Sequence, residues 1–276
     1  AQGGVATSEE HNFLIDHYNL DVVGWGTPFL LVPEATTVDS KTRKQLQEAK
    51  EKDLYLSNIS PLGVPFNTLK NSTKDIEKFE KIKEGRPGSP CPRKFLALSN
   101  EYGTEGVCTA SRLFQKNKIE ELGLSEDITD KACLCMGLAA TAVINYDVNT
   151  RESKGVSICP GPNMAYFSKE LTLSEMAHHI YNDAKGIVRF DRPNMFVNEL
   201  SMYLKLLSEK IEENKLSWGR ASEKKLTNFA DNLNNGINYY LEMFNSVDNT
   251  FNDIKKSVLD SLDSAMHHMH DMRNDI

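Results

Sequence analysis

The chain has 276 residues, of which 39% are hydrophobic and 26% charged, and it carries a net charge of −7 at neutral pH. That length holds one large domain or two ordinary ones with a sizeable core. The negative balance argues against nucleic acid and anionic membrane surfaces as partners, because both need clustered positive charge.

No apolar run approaches the roughly 20 residues that a membrane-spanning helix needs. No charged-then-apolar signal segment opens the chain, which starts Ala1-Gln2-Gly3-Gly4-Val5. An opening inside a Gly-Gly motif leads us to expect further sequence upstream. The five cysteines are Cys91, Cys108, Cys133, Cys135 and Cys159. An odd count with two of them one residue apart does not read as a secreted disulfide framework, so a reducing, cytoplasmic compartment is expected.

Three zones are predicted in chain order. Residues 1–60 alternate in the α/β manner: Thr7 and Glu10 form a capping box that opens a helix through Tyr18. The apolar run Leu20-Asp21-Val22-Val23 predicts a short strand ending in Gly24-Trp25-Gly26-Thr27-Pro28. A helix over 40–52 and a short strand at Leu54-Tyr55-Leu56 complete the zone.

Residues 61–170 are irregular and hold every cysteine. Pro61, Gly63, Pro65, Pro87, Gly88, Pro90 and Pro92 exclude long regular elements there, leaving helices over 72–84, 109–122 and 128–144, and a rigid turn at Cys159-Pro160-Gly161-Pro162-Asn163.

Residues 171–276 are predicted helical, with a second capping box at Thr172 and Glu175 and long helices over 194–215, 222–247 and 250–273. Their apolar positions recur every three or four residues: Phe196, Leu200, Tyr203, Leu207, Ile211; Leu226, Phe229, Leu233, Ile237, Tyr240, Phe244; Phe251, Ile254, Val258, Leu262, Ala265, Met269. Gly219 falls in the first connection. Such one-faced stripes on closely connected helices predict an antiparallel three-helix unit.

Gly3-Gly4 precedes a capped helix, and Gly26-Thr27 follows a predicted strand. Glycine lets backbone N–H groups approach a phosphate, and in (β/α)₈ barrels the loops after the last two strands build such sites. Taken singly, each is also an ordinary turn glycine.

Together with their surroundings they carry a family resemblance. Ala1-Gln2-Gly3-Gly4-Val5-Ala6-Thr7 and Val22-Val23-Gly24-Trp25-Gly26-Thr27-Pro28-Phe29 resemble the end of the barrel in the nitronate monooxygenase (2-nitropropane dioxygenase-like) family. Ser60-Pro61-Leu62-Gly63-Val64-Pro65-Phe66 is similar to a stretch of its bacterial members, and Cys91, Cys108 and Lys131-Ala132-Cys133-Leu134-Cys135-Met136-Gly137-Leu138 resemble their cysteine-bearing extension.

The likeness covers about residues 1–145. It implies an FMN-dependent oxidoreductase acting on a nitronate or an enoyl thioester in the intact parent chain. Gly3, Gly4, Gly26 and Thr27 would hold the flavin phosphate. It assigns no catalytic residue here, since the family's substrate-side histidine and most flavin-ring contacts lie on earlier strands. Trp25 and Pro28 depart from the smaller or aliphatic residues usual beside the Gly-Thr.

The cysteines support a rival reading, thiolate ligation of zinc or an iron–sulfur cluster. Against it, Cys133 and Cys135 in mid-helix would point about 200° apart, although the spacing works better at a helix start. The other cysteines match no finger spacing. Buried structural thiols are therefore the reading kept, and no metal ligands are assigned. His178-His179 and His267-His268-Met269-His270 read as solvated polar edges, although His267 and His270 share a helical face.

The expected fold is mixed α/β and predominantly α: the last βα units of a (β/α)₈ barrel, a cysteine-bearing extension and a C-terminal antiparallel helical unit. The expected function is the C-terminal region of an FMN oxidoreductase acting on a small molecule, with the helices docking another copy or a partner subunit. The alternative is a non-enzymatic helical interaction module stabilised by its cysteines, with zinc or an iron–sulfur cluster as candidate occupants.

Overall fold

The computed structural model describes residues 1–148, 155–182, 184–216, 220–246 and 251–274. Helix α1 spans Ser8–Tyr18. Thr7 caps it, with Oγ1 accepting the Glu10 N–H at 3.2 Å, while Glu10 reaches back so that Oε2 accepts the Ala6 N–H at 2.9 Å. Asn19 ends the helix in the left-handed conformation at φ 50°, a role for which Asn is suited.

The strand expected over residues 20–23 does not form, and Val22 is 73% exposed. Thr27–Leu31 is a 3-10 turn with Pro28 in its first positions. Among the described residues the regular strands are β1 (Leu54–Ser57) and β2 (Phe66–Leu69), which pair antiparallel, Leu54 opposite Leu69 and Ser57 opposite Phe66. The fold is thus mixed and predominantly helical, but the parallel βα units expected in 1–60 are not formed among the described residues. Parallel strands need neighbours on both edges and cover on both faces, and neither is available to residues 20–23 here. The Ser60–Phe66 motif is instead the hairpin connection, turning at Gly63, whose N–H donates to the Ser60 carbonyl at 3.2 Å.

Helices α2 (Ser40–Glu48), α3 (Thr73–Lys83) and α4 (Arg112–Leu122) follow the predicted positions closely, each with a side-chain cap from Asp39, Ser72 and Ser111 respectively. The helix expected over 128–144 is broken into α5 (Glu126–Thr129), α6 (Leu134–Gly137) and α7 (Ala140–Asn145). The break has a tertiary cause. The Ala132 N–H donates to the Ile59 carbonyl at 2.9 Å, drawing residues 130–133 out of helical geometry, and Ile59, Ala132 and Leu134 form a small core with Phe66 and Leu96.

Helix α8 (Leu173–Asn182) starts at the Thr172–Glu175 capping box. Long helices α9 (Met195–Leu216), α10 (Arg220–Ser246) and α11 (Lys255–Asn274) complete the chain. Gly219 lies outside the described residues.

The three sequence zones are not the units of the fold. One compact unit comprises Ala1–Val23 with Phe190–Ile276, and the other Gly24–Arg189. In the first, α9, α10 and α11 each pack on the other two, burying Phe196, Leu200, Leu207, Ile211, Leu226, Ile237, Phe244, Val258, Leu262 and Met269. Helix α1 joins this unit through Phe13, whose ring lies 5.7 Å from that of Phe196 and 5.0 Å from that of Phe251. Such aromatic pairs add to the stabilisation from area alone.

In the second unit, α2, the Thr27–Leu31 turn and a 3-10 turn at Pro162–Tyr166 enclose Leu31, Leu46 and Met164, all fully buried. There the Leu171 N–H donates to the Leu31 carbonyl at 3.1 Å.

Candidate functional site

The four residues expected at a flavin phosphate fall in different units, Gly3 and Gly4 in the first and Gly26 and Thr27 in the second. Gly3 and Gly4 both have positive φ, 98° and 79°, where a side chain is strained. A Cβ on Gly3 or on Gly26 would meet no atom within 4 Å, so both backbones stand in open space. The Thr27 hydroxyl instead faces the Cys159–Asn163 turn, close against Gly161, where a Cβ would strike it.

The start of α1 already holds carboxylates: Glu9 accepts the Phe251 N–H at 2.7 Å, and Glu10 accepts the Ala6 and Met195 N–H groups. A phosphate near Gly3-Gly4 would therefore rely on loop N–H groups rather than on the helix dipole.

The cysteines are a different matter. The sequence spread them over three segments, and hydrogen bonds bring those segments together in the second unit. Ser89 pairs with Ser111 in a parallel bridge: the Ser89 N–H donates to the Ala110 carbonyl at 2.9 Å and the Arg112 N–H to the Ser89 carbonyl at 2.8 Å. That bridge joins the Cys91 segment to the Cys108 segment. Gly88 makes it possible, because a Cβ there would stand 2.7 Å from the Arg112 nitrogen.

The third segment is bound to both. The Gln115 amide, fully buried, donates to the Lys131 carbonyl at 3.0 Å and to the Thr109 carbonyl at 3.5 Å. Arg93 reaches the Cys135 carbonyl at 3.5 Å, and the Ser89 hydroxyl lies 3.5 Å from the Met136 sulfur.

All five thiols are free; Cys108 and Cys133 are buried, Cys91 and Cys135 half-buried, and Cys159 exposed. Burial pushes the Cys108 thiol up to about 12, and Cys91, Cys133 and Cys135 lie near enough to raise it further, while the Ala110 N–H opposes them. The Cys135 thiol is also raised, by burial and then by Cys133, against a hydrogen bond from the Leu96 backbone. Cys159 takes no part: its thiol is raised by burial and opposed by the Asn67 backbone.

Cys133 caps α6 in an extended conformation, φ −73° and ψ 95°, so the mid-helix opposition expected for Cys133 and Cys135 does not apply. Cys91 stands between Pro90 and Pro92 with φ 52°, a conformation that residues before proline avoid. Among the described residues, no three His, Cys, Asp or Glu side chains are grouped so as to hold a metal ion. A cleft beside Cys133 is lined by Lys74, Lys78, Lys81, Gly88, Ala110 and Lys131. Its lysines are engaged, Lys74 and Lys81 with Glu77, Lys78 with Asp130, and Lys131 with the Asn58 carbonyl.

The histidines divide. His179 is 1% exposed, edge-on to Trp25 at 5.8 Å and to Phe167 at 6.4 Å, so it is a core residue and not the polar edge expected. His267, His268 and His270 are exposed, as expected. Sequence reasoning missed the cysteine convergence. The available signals were the Pro-Cys-Pro turn and the Cys-x-Cys pair placed just ahead of a helix.

No family model, curated protein or solved structure matches this chain.

Proposed function

We propose that this chain is the C-terminal region of an FMN-dependent oxidoreductase of the nitronate monooxygenase type, contributing to the flavin phosphate site of a longer parent. In that parent, residues 1–60 would be the last βα units of the (β/α)₈ barrel, packing on earlier strands. The reading is supported by four family-like motifs occurring in order along residues 1–145. The observation that carries it is the open backbone at Gly3 and Gly26, with room for a ligand where any other residue would place a side chain.

Gly3, Gly4 and Gly26 would donate backbone N–H groups and Thr27 its hydroxyl. FMN, when bound, supplies the redox chemistry on a small-molecule substrate. A cytoplasmic setting belongs to the same reading. So does docking of another copy or a partner subunit on the helices, where Met202, Tyr203 and Tyr239 stay partly exposed.

The test is Gly26→Val in the intact parent. Gly26 has φ −125°, which any residue adopts, and nothing within 4 Å, so the chain itself tolerates the substitution. Loss of flavin absorbance with an unchanged fold is expected. Full flavin occupancy in the variant would sink the assignment.

The second reading, a non-enzymatic helical module on a cysteine-stabilised base, is favoured by the hydrogen-bonded convergence of the cysteine segments. Absence of flavin from the parent would select it.

A further inference from the structure

We infer that Cys91, Cys108, Cys133 and Cys135 are the ligands of one structural metal ion, a tetrathiolate centre for zinc. This deepens the second functional reading by choosing the metal and its four ligands, and it does not depend on whether the parent binds flavin.

The selection of residues is the first support. Four of five cysteines lie on three segments that hydrogen bonds join, although 44 positions separate Cys91 from Cys135, and the fifth, Cys159, lies outside those segments with an exposed thiol. A set of buried thiols serving only as small apolar fillers has no reason to exclude one member and gather the rest.

The second support is how the neighbourhood is built. The Cys91 and Cys108 segments are joined by the Ser89–Ser111 bridge, and the Cys108 and Cys133 segments by the Gln115 amide. The Cys135 segment is held to the Cys91 segment by Arg93 and Ser89. Each link lies within a few residues of a cysteine. Between them they close a ring of segments whose common content is sulfur. Among the described residues the thiols do not converge as they stand, so zinc would have to draw the four sulfurs in to the roughly 2.3 Å zinc–sulfur distance.

The third support is the surroundings. A zinc tetrathiolate carries two negative charges and is stabilised by N–H donors to sulfur and by nearby cations. In the turn after Cys108, the Thr109 hydroxyl and Arg112 Nε are buried with no hydrogen-bond partner. Buried donors without acceptors are costly, and sulfur anions beside them would supply acceptors. Arg93 and Lys131 add positive charge on the Cys135 and Cys133 sides.

The experiment uses the full chain, reduced and stripped of metal under anaerobic conditions, then titrated with Co(II) and with Zn(II). One equivalent of Co(II) is expected to give the thiolate charge-transfer and ligand-field bands of a tetrahedral sulfur site, with Zn(II) displacing it at one equivalent. Cys91→Ser and Cys108→Ser should each weaken zinc binding on the order of tenfold or more, and Cys159→Ser should leave it unchanged.

Because a cysteine variant can misfold, the unaltered chain supplies a second readout. Alkylation of the folded chain followed by mass spectrometry should modify Cys91, Cys135 and Cys159 without zinc and only Cys159 with it. No stoichiometric metal, protection that includes Cys159, or isolation with iron and acid-labile sulfide in place of zinc would each overturn the proposal.

Discussion

Arg192 places Nη1 2.7 Å from Glu10 Oε1, with the two side chains 4% and 2% exposed. The same Glu10 oxygen accepts the Met195 N–H at 2.8 Å, and Arg192 Nη2 donates to the Gly4 carbonyl at 2.8 Å. One buried ion pair thus ties the Gly3-Gly4 turn, the first turn of α1 and the start of α9 into a single hydrogen-bonded knot.

Breaking a buried pair leaves an uncompensated charge, which costs about 3–5 kcal/mol. Arg192→Leu should lower the unfolding free energy of the unit formed by residues 1–23 and 190–276 by that amount, read from urea titration. Glu10→Gln, which removes the charge but keeps an acceptor, should cost less. Adding Glu10→Gln to Arg192→Leu should recover stability relative to Arg192→Leu alone. Equal losses from all three variants would show that the pair is not what holds the knot.

Gly88→Ala should loosen the cysteine neighbourhood. Its added carbon would lie 2.7 Å from the Arg112 nitrogen, at a backbone position with φ 80°. A cost of about 1–3 kcal/mol is expected from strain of this kind. Faster alkylation of Cys91 and Cys108, with Cys159 unchanged, is the accompanying signature.

Gln115→Leu tests the other link. The side chain is fully buried and its amide spans the Thr109 and Lys131 carbonyls. Removing the bridge leaves two carbonyls short of a donor, at about 1–3 kcal/mol. Zinc affinity should fall with it, while a surface substitution on the same helix, Lys116→Ala, should change neither quantity.

The helical unit should be sensitive to alkali. Burial, and then Glu199, push the Tyr240 hydroxyl from its ordinary 10.0 up to about 12. Tyr18 is raised as well, by burial first and then by Tyr239. The folded chain therefore keeps protons that the unfolded chain gives up. This contribution to stability is complete below about pH 10 and is lost as pH rises through about 12. Chemical unfolding across that window should show the decline, and Tyr240→Phe should make it shallower.

The core of the three-helix unit is a simpler case. Leu207 and Ile237 are completely buried, and truncating either to Ala should cost about 2–5 kcal/mol. Tyr203, which shares the apolar spacing of α9 but is 43% exposed, should cost far less.

Local signals were legible wherever the chain itself decides the outcome. The Thr7–Glu10 and Thr172–Glu175 boxes start helices, and the stripes through Leu207, Ile237 and Leu262 face the core. Legibility ended where distant residues compete. Ala132 gives its N–H to Ile59 and breaks a helix that periodicity alone supports. The run at Leu20–Val23 has strand composition but no partner strand, so composition had nothing to act through. Leu204 is buried where Tyr203 was expected, one position round the helix.

At the candidate sites, residue type did not separate the open Gly3 and Gly26 from the crowded Gly88. Nor did it reveal that the segments of Cys91, Cys108, Cys133 and Cys135 are joined, because Ser89 and Gln115 join them, residues with no chemical signature of their own.

The pairing of Ala1–Val23 with Phe190–Ile276 also bears on the order in which this polypeptide is built. During synthesis, residues 24–189 are complete while α1 still lacks Phe196 and Phe251, whose rings lie against Phe13. An emerging chain must therefore carry the Phe13 face of α1 uncovered by α9 and the later helices while residues 24–189 are translated. The capping box at Thr7 and Glu10 can preserve helical form in that interval, but only the last helices can shield it from chaperones and from other nascent chains.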